Sequence, residues 1–215
     1  NDRITMILDI NKLVKEHNMN ITGVIQIGAH YGQEYEEFCS YGATDFLMFE
    51  PIPSSFNVLK EHVGDKDNVI LENIALGPTK KDGCKMYVET ANRGMSCSLM
   101  KPMLHLEQYP NITFDSTIEV NQTSLDIYFN ETDTNINKYN LINIDVQGYE
   151  LEVFKGAVET LKTIDYIMTE VNRDEVYENC AKIDQLDAFL SEYQFRRVET
   201  GWSSSGTWGD ALYIK

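Results

Sequence analysis

Hydrophobic and polar positions along the chain follow two periods that alternate with one another. Short apolar runs that end at glycine, proline or a polar residue are typical of buried parallel strands, and apolar residues three and four positions apart are typical of amphipathic helices. This alternation predicts an α/β fold with a mostly parallel sheet. The predicted strands are residues 24–28, 44–51, 68–76, 139–146, 165–171, 194–200 and 210–215, and the predicted helices are residues 4–17, 32–41, 54–63, 149–161 and 183–193.

The rhythm is interrupted over residues 79–130, which predicts an insertion into the fold. Within it, residues 85–90 and 117–125 alternate apolar and polar side chains, as the strands of an edge hairpin do. The loop between them, residues 91–116, has the length of a functional or mobile segment.

The chain of 215 residues has the length of one domain, residues 1–215, with the first helix leading into it over residues 1–20. It begins at Asn1 rather than at Met, so we expect a domain excised from a larger multidomain protein.

Charge and cysteine usage narrow the classes of partner. The net charge of −16 disfavours a nucleic-acid substrate, because an acidic surface repels phosphate backbones. No apolar stretch approaches the ~20 residues that a membrane span needs. The four cysteines form no CxxC pair, which favours reduced thiols in the cytoplasm over a zinc site.

A glycine turn, GAHYG (residues 28–32), follows the first predicted strand. It lacks the middle glycine of the GxGxxG motif found in dinucleotide-binding enzymes. Glu50 ends the second predicted strand about 20 residues beyond Gly28, where a carboxylate accepts the ribose hydroxyls of an adenosine. Pro51 then terminates the strand. The turn and the acid together predict a nucleoside-type cofactor, with a plain αβ turn and a solvated Glu as the alternative.

Polar residues also stand at the ends of later strands. Asn73 is either a partner for the adenine edge or a turn-forming residue. Asp145 ends one strand, and Glu170 and Asn172 end the next. Because ligands of open α/β sheets bind outside the carboxyl ends of the strands, we expect these three residues to face the cofactor. They would supply a general base or hold a divalent cation, unless they are simple strand-end caps.

Several ordered blocks between residues 24 and 172 resemble the FkbM-type methyltransferases. The most specific block is LINIDVQGYELEVFKGA (141–157), which is similar to the family's Lys-Ile-Asp-Val-Glu-Gly-x-Glu-x-x-x-Leu-x-Gly-Ala. The other matching blocks are VIQIGAHYGQE (24–34), FEPIPSSFNVL (49–59), NIALG (73–77), GMSCSL (94–99) and TSLD (123–126).

The resemblance implies a class I methyltransferase, Rossmann-like fold that binds S-adenosylmethionine. Its mostly parallel sheet would have seven strands with an antiparallel C-terminal strand, helices on both faces and an extra β-hairpin insertion. Expected at the cofactor are Gln26, Gly28, Ala29, His30, Gly32, Glu50, Pro51, Asn73, Ala75, Ser96 and Asp145. Expected in catalysis are Asp145, Glu170 and Asn172, which would also be the ligands of a divalent metal if one is required.

This chain departs from the family pattern at three positions. Gln26 stands where an acid is common, which weakens the expected contact with the methionine amine. Asn143 and Gln147 replace the usual Lys and Glu of the Asp-Val-Glu-Gly block. If that Glu is the family's base, this chain needs another, and we therefore favour Asp145 and Glu170.

The leading hypothesis is O-methylation of a sugar or glycan hydroxyl beneath the 91–116 loop and the 201–209 hairpin. A small natural product is an alternative acceptor. An adenosine-cofactor oxidoreductase is a second reading, against which the missing GxGxxG counts, and a non-catalytic partner-binding domain is a third. By analogy with the family, the excised start suggests fusion to glycosyltransferase domains.

Overall fold

The computed structural model describes residues 7–64 and 66–215. The strands are β1 (Gly23–Ile27), β2 (Asp45–Phe49), β3 (Val69–Glu72), β4 (Ala75–Leu76), β5 (Lys81–Val88), β6 (Ser116–Thr123), β7 (Leu141–Ile144), β8 (Tyr166–Asn172), β9 (Arg196–Trp202) and β10 (Trp208–Ile214). The helices are α1 (Ile10–Glu16), α2 (Tyr35–Ser40), α3 (Pro53–Val63), α4 (Leu104–Gln108), α5 (Leu125–Glu131), α6 (Glu150–Lys155) and α7 (Ile183–Ser191).

The main sheet has seven strands in the order β3-β2-β1-β7-β8-β10-β9. Pairing is parallel from β3 to β8, whereas β10 runs antiparallel to both β8 and β9. The predicted class I methyltransferase fold, with its antiparallel C-terminal strand, is therefore confirmed.

Alternate residues of the central strands pack into two apolar cores on opposite faces of the sheet. On one face, Ile25 and Ile27 of β1 pack in a cluster with Phe154 of α6. On the other face, Val24 packs in a cluster with Phe38 of α2. Burial on both faces explains why these strands are continuous apolar runs rather than alternating ones.

The third predicted strand, residues 68–76, is two strands in different sheets. β3 stays in the main sheet, and β4 pairs in parallel with β6 in a second sheet of order β4-β6-β5. Asn73 lies at the break, where its side-chain amide donates to the backbone carbonyls of Glu50 and Pro51. These hydrogen bonds lie where β3 stops pairing with β2. An unbroken strand would have continued along the edge of β2.

The inserted segment contains the predicted hairpin and two helices that the pattern did not reveal. β5 and β6 pair antiparallel, as expected for an edge hairpin. α4 lies inside the predicted loop 91–116, and α5 follows β6 directly, capped by the Ser124 hydroxyl. Both helices are short, so neither completes enough turns for a clear 3.6-residue period.

Other helix boundaries differ from the predictions at their ends. The helix predicted over 32–41 begins only at Tyr35, because the preceding residues complete the glycine turn. The helix predicted over 149–161 ends at Lys155 and is followed by a short 3-10 turn. α1 begins at Ile10, and residues 4–6 of its prediction lie outside the described residues.

Two findings bear on the predictions about membrane spans and cysteines. Within residues 7–64 and 66–215, no helix combines the length and apolar character needed to cross a bilayer. The four cysteines, Cys39, Cys84, Cys97 and Cys180, are all free thiols.

Gly28 holds the carboxyl ends of three strands together. Its φ of +78° is left-handed, and its amide donates to the carbonyl of Phe49 at the end of β2. A Cβ at this position would lie 2.0 Å from the carbonyl oxygen of Asp145, just beyond β7. Only glycine allows backbones to approach this closely.

We therefore expect Gly28→Ala to lower the free energy of unfolding by more than ~3 kcal/mol, since it adds both a clash and left-handed strain. Gly206→Ala is the matched control: φ there is +72°, but nothing lies within 4 Å of the added Cβ. Its cost should be about 1–2 kcal/mol. Urea unfolding of the two variants measures the difference, and equal losses would contradict the close approach.

Candidate active site

A cavity of about 420 Å³ opens where β1, β2, β7 and β8 end. The glycine turn and the loop after β2 form one side of its wall. The segment 92–97, helix α4 and the start of β10 cover it from the other side. This is the edge at which open α/β sheets bind ligands.

Most of the residues predicted for the site meet in this one cavity. Asp145 and Glu170 come from β7 and β8, and the cofactor residues come from the turn, the loop after β2 and the covering segment. The predicted residues that line the wall are Gln26, Gly28, His30, Glu50, Pro51, Ala75, Ser96, Asp145 and Glu170.

Ala29 and Gly32, which were also expected at the cofactor, are not among the residues that line the cavity. The Ala29 amide donates to the Phe49 carbonyl at 2.9 Å, so it ties the turn to β2. Gly32 faces α3, where an added Cβ would lie 2.8 Å from Leu59. Both residues shape the turn from behind.

Asn73 and Asn172 are the other two predicted residues outside the wall. The Asn73 amide nitrogen is engaged by the carbonyls of Glu50 and Pro51, so this residue fixes the loop rather than facing a ligand. Asn172 is buried and donates to Glu170 Oε1 over a long 3.4 Å. The structure therefore places Asn172 in contact with Glu170 and not among the residues that line the cavity.

Glu50 is a buried carboxylate, 4% exposed, that joins β2 to the glycine turn. Oε2 accepts from the His30 amide and Oε1 from the Ile52 amide, each at 2.8 Å. Burial outweighs these two hydrogen bonds and raises the pKa of Glu50 to about 7. Each oxygen keeps a lone pair for a further donor.

His30 links the glycine turn to the segment that covers the cavity. Its Nε2 lies 2.7 Å from the Arg93 carbonyl, and its Nδ1 lies 2.9 Å from the Gln33 amide nitrogen. Because a carbonyl only accepts, Nε2 carries the hydrogen and Nδ1 accepts from Gln33. The imidazole is therefore engaged at both nitrogens.

Asp145 and Glu170 are bridged by a side chain that the sequence prediction did not assign to the site. The Gln147 amide nitrogen lies 2.5 Å from Asp145 Oδ1 and 3.0 Å from Glu170 Oε2. Asp145 is exposed to the cavity but surrounded by protein, and burial raises its pKa while Gln147 opposes this effect. Burial and then Asp145 raise the pKa of Glu170 well above its ordinary value.

Three further acids, missed at first, lie close enough to Asp145 for its charge to raise their pKa values. Burial is the larger cause in each: it raises the pKa of Glu150 and of Asp210 to about 7, and it also raises the pKa of Glu34. Asp210 stands directly opposite Glu170 in the β8–β10 register, so both side chains share one face. Register between distant strands is not readable from one sequence, which is why Asp210 was missed.

Glu34 lies beside the residue that replaces the family's usual acid. The Gln26 amide nitrogen donates to Glu34 Oε2 at 3.0 Å, and both residues line the cavity. The carboxylate expected at position 26 is thus supplied from eight residues further on. The sequence contained a signal for this residue, because Glu34 is the last residue of the VIQIGAHYGQE block.

Aromatic side chains from α4 and β10 form the far end of the cavity. Trp208 donates its indole N–H to the Tyr109 hydroxyl at 2.9 Å, and the His105 ring packs 5.0 Å from that of Tyr109. The two segments predicted to cover the acceptor, 91–116 and 201–209, both contribute to this wall.

The predicted metal ligands do not fit a divalent cation. Asn172 lies outside the wall, and the Gln147 amide group donates to both carboxylates from between them. In the part of the chain that the structure describes, no three His, Cys, Asp or Glu side chains are grouped to hold a metal ion.

The sheet order and the cavity at its carboxyl edge define a class I methyltransferase fold. The chain belongs to the methyltransferase FkbM family, whose domain it matches over residues 26–197. It is also 29% identical to the 2-O-methyltransferase NoeI of Sinorhizobium fredii over 192 residues, which are 83% of this chain and 76% of that protein.

Solved structures support the same fold. The methyltransferase FkbM from Methylobacillus flagellatus KT matches 91% of the chain with a TM-score of 0.59 and 12% identity. The chain spans only 44% of the length of that protein. The magnesium protoporphyrin IX methyltransferase ChlM from Synechocystis PCC 6803, solved with bound S-adenosylmethionine, matches 96% of this chain and 76% of its own, with a TM-score of 0.51 and 10% identity.

The raised pKa of Glu50 predicts a pH-dependent cost to stability. A carboxyl whose pKa is about 7 when folded and about 4.5 when unfolded stabilises the fold below pH 4.5 and loses that contribution as pH rises through 7. Glu50→Gln should match the wild type near pH 4.5 and exceed its unfolding free energy by up to ~3 kcal/mol at pH 8.

The control for this prediction is Glu61→Gln, which removes an exposed carboxylate from α3. Urea unfolding at several pH values should show that the unfolding free energy of this variant changes with pH as that of the wild type does. If the unfolding free energy of Glu50→Gln changes with pH as that of the wild type does, Glu50 is not a buried group that binds a proton with raised affinity.

Proposed function

We propose that this protein is an S-adenosylmethionine-dependent O-methyltransferase that acts on a hydroxyl of a sugar or glycan. The observation that carries the proposal is that Asp145 and Glu170 share one cavity with Glu50. A carboxylate suited to a ribose and a carboxylate suited to a reacting hydroxyl then line the same cavity.

The residues of the cavity fit S-adenosylmethionine. Glu50, held by two backbone amides, has free lone pairs for the ribose hydroxyls. Glu34 is the acid available to the methionine amine, since Gln26 donates to it. When bound, the cofactor supplies a methyl group on a cationic sulfur, and the surrounding acids favour a cation. ChlM, a relative in fold, is solved with this molecule.

The same residues disfavour a dinucleotide. His30 stands where the middle glycine of GxGxxG would admit a pyrophosphate, and its ring is bonded to Arg93 and Gln33. The acids around Asp145 would also repel two phosphates. A cavity lined by an intact set of polar groups likewise argues against a domain that only binds a partner.

Asp145 is the residue best placed to accept the proton of the acceptor hydroxyl. Its raised pKa makes it a stronger base than an exposed Asp, while it remains hydrogen-bonded to Gln147. S-adenosylmethionine, held by Glu50 and Glu34, would supply the methyl group for the new C–O bond and leave as a neutral thioether, and Asp145 would receive the hydroxyl proton. Alignment of hydroxyl and methyl in the closed cavity contributes much of the acceleration.

The far end of the cavity suits a sugar. Trp208 and Tyr109 present aromatic surface there, and carboxylates lie opposite, which together recognise the apolar face and the hydroxyls of a pyranose. NoeI, at 29% identity, is a 2-O-methyltransferase. A small natural product with a ring hydroxyl would use the same groups. The four free thiols suit the cytoplasm, which we propose as the compartment.

Calorimetric titration tests the cofactor. We expect S-adenosylmethionine to bind the wild type and NAD not to bind, and Glu50→Ala to weaken binding about 10- to 100-fold through the loss of charged hydrogen bonds. Glu72→Ala is the control, because Glu72 ends the neighbouring strand but bonds to Tyr128 outside the cavity. NAD binding, or equal effects of the two variants, would refute this assignment.

Methyl transfer to a panel of sugars, followed with methyl-labelled S-adenosylmethionine, tests the base. Asp145→Asn should lower the turnover rate by about 10²- to 10⁴-fold because the proton acceptor is lost. Cofactor affinity should stay within a few-fold of the wild type. Full activity of Asp145→Asn would remove Asp145 from the mechanism, and labelling of amines but not hydroxyls would replace O-methylation by N-methylation.

A further inference from the structure

Gln147 adopts a left-handed backbone conformation, with φ of +55°, in the turn that leaves β7. This conformation is uncommon for a residue with a side chain and is held by specific contacts here. The Ser98 hydroxyl donates to the Gln147 carbonyl at 2.7 Å, and the buried Glu150 carboxylate accepts from the amides of Val146 and Gly148. The turn therefore directs the Gln147 side chain back toward the strand ends.

The amide nitrogen of Gln147 has two hydrogens and two carboxylate partners. It lies 2.5 Å from Asp145 Oδ1 and 3.0 Å from Glu170 Oε2, so each carboxylate receives one N–H. Charge-assisted bonds of this kind are among the stronger ones in proteins. They reduce the repulsion that brings up the pKa of Glu170.

Tyr177 lies at the oxygen end of the Gln147 amide. Its hydroxyl is fully buried and lies 2.9 Å from Gln147 Oε1 and 3.0 Å from the Ser96 carbonyl, so its one hydrogen faces two acceptors. The opposite amide orientation would place an oxygen against two carboxylate oxygens, with no hydrogen between them. The observed orientation is therefore the one that the two carboxylates require.

We propose that Gln147 is a positioning residue that holds Asp145 and Glu170 together on the cavity wall by donating one amide hydrogen to each. The inference rests on the proposed function, in which Asp145 receives the proton of the acceptor. A neutral double donor does here what a shared cation would do between two carboxylates. It keeps Asp145 close to Glu170 without cancelling the charge that makes Asp145 a base.

A carboxylate at this position would reverse the arrangement. Three acceptors would then meet with no hydrogen among them, so the group would need an added proton or a cation. This chain differs here from the Asp-Val-Glu-Gly block that it otherwise resembles. The amide is thus a feature of this chain's own site.

The groups around the pair set the background for any titration. Glu150 faces it from α6, Asp210 from β10, and His30 and Glu34 from the segment between β1 and α2. Tyr177 approaches from the segment after β8. The side-chain amide of Gln147 donates directly to Asp145 and Glu170. Its hydrogens should therefore respond more strongly to the ionisation of these two acids than to that of the other neighbours.

Nuclear magnetic resonance of the side-chain amide gives the first test. We expect the two Gln147 hydrogens, assigned by their loss in Gln147→Met, to resonate far downfield and to shift with pH as Asp145 and Glu170, whose pKa values are both raised, ionise. Gln122 is the internal control. It is more deeply buried than Gln147 and accepts from Tyr149, but it donates to the Thr79 carbonyl instead of to acids. If the resonances of the Gln147 hydrogens shift with pH no more than those of Gln122, the proposal is overturned.

Thermal unfolding of Gln147→Glu gives the second test. We expect its Tm to fall by about 5 °C or more at pH 8, and millimolar Mg²⁺ to restore at least about half of that loss. Gln122→Glu should show no recovery with Mg²⁺. An unchanged Tm for Gln147→Glu, or equal Mg²⁺ responses in the two variants, would show that Gln147 does not separate the two carboxylates.

Both tests use the protein without cofactor or acceptor, so they stay decisive if the proposed methyl transfer fails. Absence of S-adenosylmethionine binding to the wild type would reject the proposed function, while titrating Gln147 hydrogens would still establish the bridge. Conversely, normal cofactor binding and an inactive Asp145→Asn variant, together with non-titrating Gln147 hydrogens, would reject the bridge alone.

Discussion

The site depends on the close backbone contact between the ends of β1, β2 and β7. Gly28 donates to Phe49 and lies so near the Asp145 carbonyl that a Cβ would not fit. This contact brings Glu50 and Asp145 to the rim of one cavity although 95 residues separate them in the chain. The two buried cores on either face of the sheet keep the strands in that register. A shift of one residue would turn either acid into the core.

Amides replace acids at two positions of the family pattern, and the structure gives both replacements the same physical consequence. Gln26 donates to Glu34, and Gln147 donates to Asp145 and Glu170. In each case the amide lies beside a carboxylate that the cavity already holds, and it adds hydrogens rather than negative charge. An acid at either position would have increased a repulsion that already raises the pKa of its neighbours.

The sequence predicts those features that depend on local chemistry. Continuous apolar runs reveal the buried parallel strands, and strand-end acids such as Glu50 and Asp145 stand out against them. Features that depend on tertiary geometry stay hidden. The break at Asn73 needs the carbonyls of a loop more than 20 residues away, and Asp210 enters the site only through its register with Glu170. Asn172 was expected at the surface of the site for the same reason, since strand position alone does not show which face a side chain takes.

Three acids in and beside the cavity lower the stability of the fold. Glu50, Glu150 and Asp210 each have a pKa raised to about 7, so near neutral pH each is ionised at the expense of folding free energy. Acids whose pKa values are shifted this far are concentrated at binding and catalytic sites, and Glu50 and Asp210 both line the cavity. A cation bound in the cavity would reduce the repulsion from Asp145 that adds to the cost of burying Glu150 and Asp210. The acids that lower the stability of the fold would thus also favour a cation such as the sulfonium of the proposed cofactor.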